Sequence, residues 1–235
     1  MSEVRETRGG GRRVGPDHGR PTAVVIDGFL GIEPCRQLAD LATELYGAQE
    51  LVENVFQSHS WFANLDRPET PRPADARWKV VQRLHRDVLA TLGIGRWGPD
   101  TYLKDFVSYL APGGFVVRHR DDWRMASPDF DCRVRCNVFV QKEPGSGDPC
   151  LGPEDPAAGA REQRLPLRTG DLLVFSPSMT PHRATRVLGS PKIMVSFGLE
   201  VERASFEEAL ARLASPAGSP DRPSTPARTM ARDRS

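Results

Sequence analysis

The chain is 235 residues long, enough for one sizeable domain with its own core. Its formal charge of +1, from 32 basic and 31 acidic residues, argues against a chain dominated by phosphate-backbone binding, so no nucleic-acid partner is expected. Its four cysteines form no CxxC pair and are too few for a disulfide framework, which points to a reduced, cytoplasmic setting, and the absence of a long apolar run excludes a helical membrane span.

Residues 1–21 are rich in Gly, Arg and charge and are expected to be a disordered N-terminal tail. Arg12-Arg13 would suit a twin-arginine signal, but Gly15, Pro16, Asp17 and His18 stand where an apolar region should follow. A single domain is expected over residues 22–214, opening with a strand at Thr22–Asp27 that Gly28 closes. Pro34 suits a first helical turn, and Cys35, Leu38, Leu41, Ala42 and Leu45 recur at helical spacing through Tyr46. Residues 51–75 lose all periodicity and carry three prolines and Trp61-Phe62. They read as a long loop, either a lid over a pocket or a surface excursion pinned by Trp61. Ala76–Leu92 is helical again, with Trp78, Val81, Leu84, Val88 and Leu92 on one side. His85 lies one position off that stripe and reads as an ordinary helix residue.

Beyond Asp100 the period becomes that of short strands between Gly/Pro turns. Strands are expected at Asp105–Leu110, Phe115–Arg120, Arg133–Gln141, Gln163–Leu167, Asp171–Phe175, His182–Val187 and Lys192–Val201, a spacing that suits a sandwich, a barrel or a two-sheet jelly roll. Residues 143–162 are Gly/Pro/Asp-rich and read as loop. An amphipathic helix at Ser205–Leu213 precedes residues 215–235, whose Pro, Ser and Arg content marks a disordered C-terminal tail.

The chemistry is concentrated in Val107–Arg124, VSYLAPGGFVVRHRDDWR. In an extended segment residues two apart share a face, so His119 and Asp121 together can grip one metal ion, with Arg120 pointing away. Taken alone the pair would equally suit an exposed, solvated edge strand. The best third ligand is His182, delivered by a loop that Pro177 and Pro181 bracket after the buried run Leu172–Phe175. Two histidines and one carboxylate around a metal with open positions is the arrangement of non-haem Fe(II) oxygenases.

Three stretches together resemble the Fe(II)/2-oxoglutarate-dependent oxygenases, in the branch that looks like the prolyl 4-hydroxylases. They are VVIDGFLGIEPCRQL, VSYLAPGGFVVRHRD and LRTGDLLVFSPSMTPHRATRVLGSPKIMVSF, and the match runs from about Ala23 to Glu200. The resemblance implies a mostly β fold with flanking helices, a double-stranded β-helix or distorted, cupin-like jelly roll, with iron held by His119, Asp121 and His182. It also implies a basic residue about ten positions after the distal histidine, pairing with the far carboxylate of 2-oxoglutarate. Lys192 stands there, with Arg186 as the competing anchor and a solvated strand end as the alternative reading. Tyr109 matches a tyrosine that often holds the same carboxylate, though it also suits a core position. Along Arg133–Gln141 the set Arg135, Asn137 and Phe139 alternates with apolar residues and forms a candidate pocket wall. Arg135 is its foremost cofactor-binding candidate, a surface ion pair being the other reading.

The function so implied is a dioxygenase that takes Fe(II), 2-oxoglutarate and O2, with ascorbate as a supporting reductant, and oxidises a C–H bond while releasing succinate and CO2. A small-molecule substrate such as an amino acid or biosynthetic intermediate is expected, with a protein or peptide side chain of the prolyl type as the alternative. Asp121 itself argues against halogenation, since halogenating members replace that carboxylate with a small residue. Two readings from other classes are a non-catalytic cupin-like metal-binding module and an interaction protein whose tails bind a partner.

Overall fold

The computed structural model describes residues 11–14, 22–54, 57–65, 76–102, 104–121, 125, 127–152 and 161–215. Its first elements are β1 (Gly11–Val14), β2 (Ala23–Ile26), α1 (Ile32–Gly47), β3 (Val52–Glu53), β4 (Ser58–Asn64) and α2 (Ala76–Leu92). There follow β5 (Trp97–Pro99), β6 (Phe106–His119), β7 (Cys132–Gln141), β8 (Pro149–Leu151) and β9 (Gln163–Arg164). The last described elements are β10 (Leu172–Phe175), β11 (His182–Ala184), β12 (Lys192–Val201) and α3 (Arg203–Leu213).

The strands run in the order β1-β2-β10-β7-β12-β6-β11-β8-β9, with β4 also on β6, β3 on β4 and β5 on β12. Every pairing is antiparallel. The sheet curls into a jelly roll because β6 serves both halves: Phe106–Leu110 pairs with β12 on one side and β4 on the other, while Val116–His119 pairs with β11.

Side-chain alternation divides the core in two. One face of the large sheet carries Val134, Cys136, Val138 and Val140 of β7 and Ile193, Val195 and Phe197 of β12. The helices cover it with Leu38, Leu41 and Leu45 of α1, Leu84 and Val88 of α2 and Phe206 of α3. The other face carries Val25, Phe139, Leu173 and Phe175 and looks inward on Leu151, Leu165 and Leu167. Both faces of β7 and β12 are therefore buried almost throughout, the polar positions included.

Several elements depart from expectation. The strands predicted at Asp105–Leu110 and Phe115–Arg120 are one strand. Gly113 and Gly114 lie inside it, and their backbones still bond Val187, Gly113 N–H to its carbonyl and Val187 N–H to Gly114 carbonyl, each at 2.8 Å. The 51–75 stretch is not simply a loop, since β4 is a paired strand; residues 55–56 and 66–75 lie outside the described residues, and so does any lid there. The 143–162 insertion contributes β8, which pairs with β11, although 153–160 are outside the description. Within the leader expected to be disordered, β1 pairs antiparallel with β2; the rest of that leader and residues 216–235 are outside the described residues. Among the described residues no helix is long and apolar enough to cross a membrane.

Candidate metal centre

His119 and His182 are direct partners across β6 and β11, which places two imidazoles from distant parts of the chain side by side, with ring centroids 4.3 Å apart. Asp121 follows where β6 has ended, its N–H held by the Pro177 carbonyl at 3.0 Å, and its Oδ1 lies 3.4 Å from His119 Nε2. One ligand atom from each of the three residues falls within 4.8 Å of the others. Each histidine is oriented by its backbone: Nδ1 of His119 donates to the Val117 carbonyl at 2.8 Å, and Nδ1 of His182 to the Thr180 carbonyl at 3.0 Å. A carbonyl only accepts, so both Nδ1 atoms carry protons and both Nε2 lone pairs are left for a ligand. That is the outer-shell arrangement metal-bound histidines use.

The electrostatics suit a cation. Burial holds the His182 imidazole down to about 4, so it is neutral at physiological pH. The Asp121 carboxylate beside its Nε2 raises His119, because it favours a proton at the position where a metal would otherwise bind. Burial works to raise Asp121, but the neighbouring His119 first, then His182 and Arg135, outweigh it and hold the carboxyl low. Two Nε2 atoms and a carboxylate oxygen, all from rigid or backbone-tied positions, fit a divalent transition metal.

Lys192 opens β12 on the inward face, the face of its neighbour Met194, which packs against the inner core. It is buried, and among the described residues its ammonium makes no hydrogen bond or ion pair; Nζ lies 6.0 Å from the Phe139 ring centroid. Burial first, then the Lys142 charge, lowers it to about 8, against a smaller pull from Asp148. Lys142 itself is bound to Asp148, which also takes Arg164. Arg186, the competing anchor, is exposed, donates to the Gly113 carbonyl and lies over Phe115.

Tyr109 takes the core position that was its other reading. It pairs with Ile193 and points to the helix side of the sheet, stacked on Tyr46 of α1 with centroids 4.2 Å apart. The alternation that sends Ser108 and Leu110 inward sends Tyr109 outward, so the structure does not bring it to the metal-ligand cluster. Arg135 is on the inward face and buried, not at the surface. Its Nη2 bonds Asp100 Oδ2 at 2.8 Å and its Nη1 bonds the Lys104 carbonyl at 2.6 Å, so much of its guanidinium is already engaged. It packs against Gly198, where a Cβ would stand 2.7 Å from Nη1.

Sequence reasoning missed the rest of this buried cluster. Asp100 also meets Arg133 Nε at 3.2 Å, and Arg133 Nη2 reaches Glu200 Oε1 at 3.5 Å, all four side chains being almost wholly buried. The available signal was the charge of Arg133, Arg135 and Glu200 within strands that otherwise read as buried. Ser196 was missed too, and it carried no comparable signal between Val195 and Phe197. His85 is more than an ordinary helix residue: its ring stacks on Phe197 at 4.8 Å and its Nδ1 lies 3.7 Å from Asp105.

Fold and site together define a double-stranded β-helix that gathers two histidines and one carboxylate. No family model and no curated protein matches the sequence, but solved structures share the fold. A prolyl-4-hydroxylase from Pseudomonas putida superposes with a TM-score of 0.54 at 17% identity, covering 77% of this chain and 93% of that one. HygX from Streptomyces hygroscopicus, solved with nickel and 2-oxoglutarate bound, gives 0.56 at 14% identity over 77% and 83%. The non-haem, α-ketoglutarate-dependent carbocyclase SnoK from nogalamycin biosynthesis gives 0.58 at 11% over 77% and 80%. The chain thus has the fold of prolyl 4-hydroxylases and of related 2-oxoglutarate-dependent oxygenases.

Proposed function

We propose that this protein is an Fe(II)- and 2-oxoglutarate-dependent dioxygenase that oxidises an unactivated C–H bond of a small molecule, with release of succinate and CO2. The observation that carries the reading is the convergence of His119, Asp121 and His182 with both Nε2 lone pairs turned to one point. Iron bound there would supply the redox chemistry that couples decarboxylation of the keto acid to oxidation of the substrate. His119, Asp121 and His182 would hold it through two Nε2 atoms and a carboxylate oxygen. Asp121 fills the place a halide would need, so hydroxylation or a related oxidation is favoured over halogenation. Lys192, buried and with no ion pair among the described residues, pairs with the far carboxylate of 2-oxoglutarate and selects an elongated dianion. Phe175, whose ring meets His182 at 5.1 Å, and Phe139 keep water away from this space. Tyr109 has no part in holding the keto acid.

The four cysteines, all buried and unpaired, support a reducing, cytoplasmic setting. Hydroxylation of a peptide prolyl side chain is the second reading, supported by the fold shared with the Pseudomonas enzyme, 93% of which is covered. The test is succinate release by the purified protein with Fe(II), O2, ascorbate and 2-oxoglutarate, against panels of small molecules and proline-containing peptides. Lys192→Met should abolish 2-oxoglutarate binding while leaving metal binding intact. Failure of the unmodified protein to bind 2-oxoglutarate, with no succinate from either panel, would sink the oxygenase reading in favour of a metal-binding module.

A further inference from the structure

The inward face of β7 and β12 carries buried polar atoms that no group among the described residues satisfies. Ser196 is fully buried and its Oγ has no hydrogen-bond partner; the buried Oδ1 of Asn137 has none either. The two residues are direct partners across the strands. Unsatisfied buried hydroxyls and amides are destabilising and uncommon, so two of them facing the same interior in register call for an occupant.

Their place along the strands indicates which one. On β7 the inward residues run Phe139, Asn137, Arg135. At the Phe139 level stands the Lys192 ammonium. At the Arg135 level the partner on β10 is Phe175, whose ring touches His182. On β12 the same order runs Lys192, Met194, Ser196, about 13 Å of strand from first to last. A ligand reaching from Lys192 to the histidines therefore passes the Asn137–Ser196 pair.

We propose that Asn137 and Ser196 are positioning residues for the metal-proximal end of the keto acid, the hydroxyl donating to its oxygens and the carboxamide, turned by half a turn so that Nδ2 takes the place of the unpartnered Oδ1, donating beside it. A carboxamide and a rotatable hydroxyl both adapt to such acceptors. The proposal rests on the oxygenase reading above, with Lys192 gripping one end of the keto acid and this pair the other. Arg135 Nε, also without a partner, lies one rung nearer His182 and stands beyond the pair.

The experiment uses the full chain loaded with Mn(II), in the variants Ser196→Ala and Asn137→Leu, with Asn137→Ala as the second choice at that position should leucine not fit. Thermal unfolding is measured without keto acid, and affinities for Mn(II) and 2-oxoglutarate are measured by calorimetry. The expected result is an unfolding temperature equal to or above that of the unmodified protein, an unchanged Mn(II) affinity and a 2-oxoglutarate affinity weakened about tenfold or more. Unaltered 2-oxoglutarate affinity in both variants overturns the proposal, and a lowered unfolding temperature alongside it identifies the pair as a structural water site. Failure of the unmodified protein to bind 2-oxoglutarate, or binding that survives Lys192→Met, overturns the oxygenase reading itself.

Discussion

Burial pushes the Lys192 ammonium down to about 8 from its ordinary 10.5. Between those pH values the unfolded chain holds a proton that the folded chain has released, so stability rises with pH across that window. Below about pH 8 the charged, buried ammonium is a net cost. Lys192→Met should therefore raise the unfolding temperature of the ligand-free protein at pH 7, by an amount corresponding to roughly 1–3 kcal/mol. Ligand binding should follow the opposite course, because a neutral amine pairs poorly with a carboxylate. The affinity for 2-oxoglutarate is expected to fall as pH rises from 7 through 9.5, and a calorimetric profile that stays flat would contradict the role given to Lys192. His119 and His182 show the same sensitivity to surroundings: a carboxylate partner raises one, while burial lowers the other.

At the scale of elements, β6 is the strand on which the site depends, since it leaves the β12/β4 pairing and carries His119 over to β11. The passage is narrow. Gly113 has φ of +85°, and a Cβ on Gly114 would come within 2.8 Å of Leu110 Cδ1 and of the Ser58 carbonyl oxygen. Gly114→Val should destabilise the fold by about 1–3 kcal/mol or more through overpacking. It should also weaken metal affinity by shifting His119 against His182, measured by denaturant unfolding and Mn(II) titration. The sequence showed Gly113-Gly114 as a turn between strands, because glycine pairs usually punctuate. Only the partners on either side, Ser58 and Val187, reveal that these glycines let one strand bend without stopping. The β4 strand was illegible for a related reason. Its residues are mixed in polarity because Trp61 and Ala63 turn to the helix-side core while Ser58 and Ser60 do not.

Across the whole molecule, the three metal ligands tie β6 to β11, so metal binding should act as a staple. A divalent ion at one hundred times its dissociation constant should add about 2.7 kcal/mol to the stability of the folded state. His182→Ala should abolish that gain, as read by thermal unfolding with and without Mn(II). The buried cluster of Asp100, Arg133, Arg135 and Glu200 binds β5, β7 and β12 into one body. Asp100→Ala would leave buried arginine charge uncompensated and should cost about 3–5 kcal/mol, measured by denaturant unfolding.

What the sequence by itself determined was the periodic and the local. The helix at 76–92, the long strand at 192–201, and the HxD and distal histidine are all readable from spacing, because alternation and helical repeat are properties of neighbouring residues. Tertiary structure alone decided which face of the sheet each residue meets and what stands opposite. It sent Tyr109 to the helices and Lys192 to the interior, buried Arg135 against Asp100, and set Asn137 beside Ser196 with Oδ1 and Oγ unpartnered among the described residues. The physical reason is that burial and hydrogen-bond satisfaction depend on cross-strand neighbours that are dozens of residues away in the chain, and no local pattern encodes them.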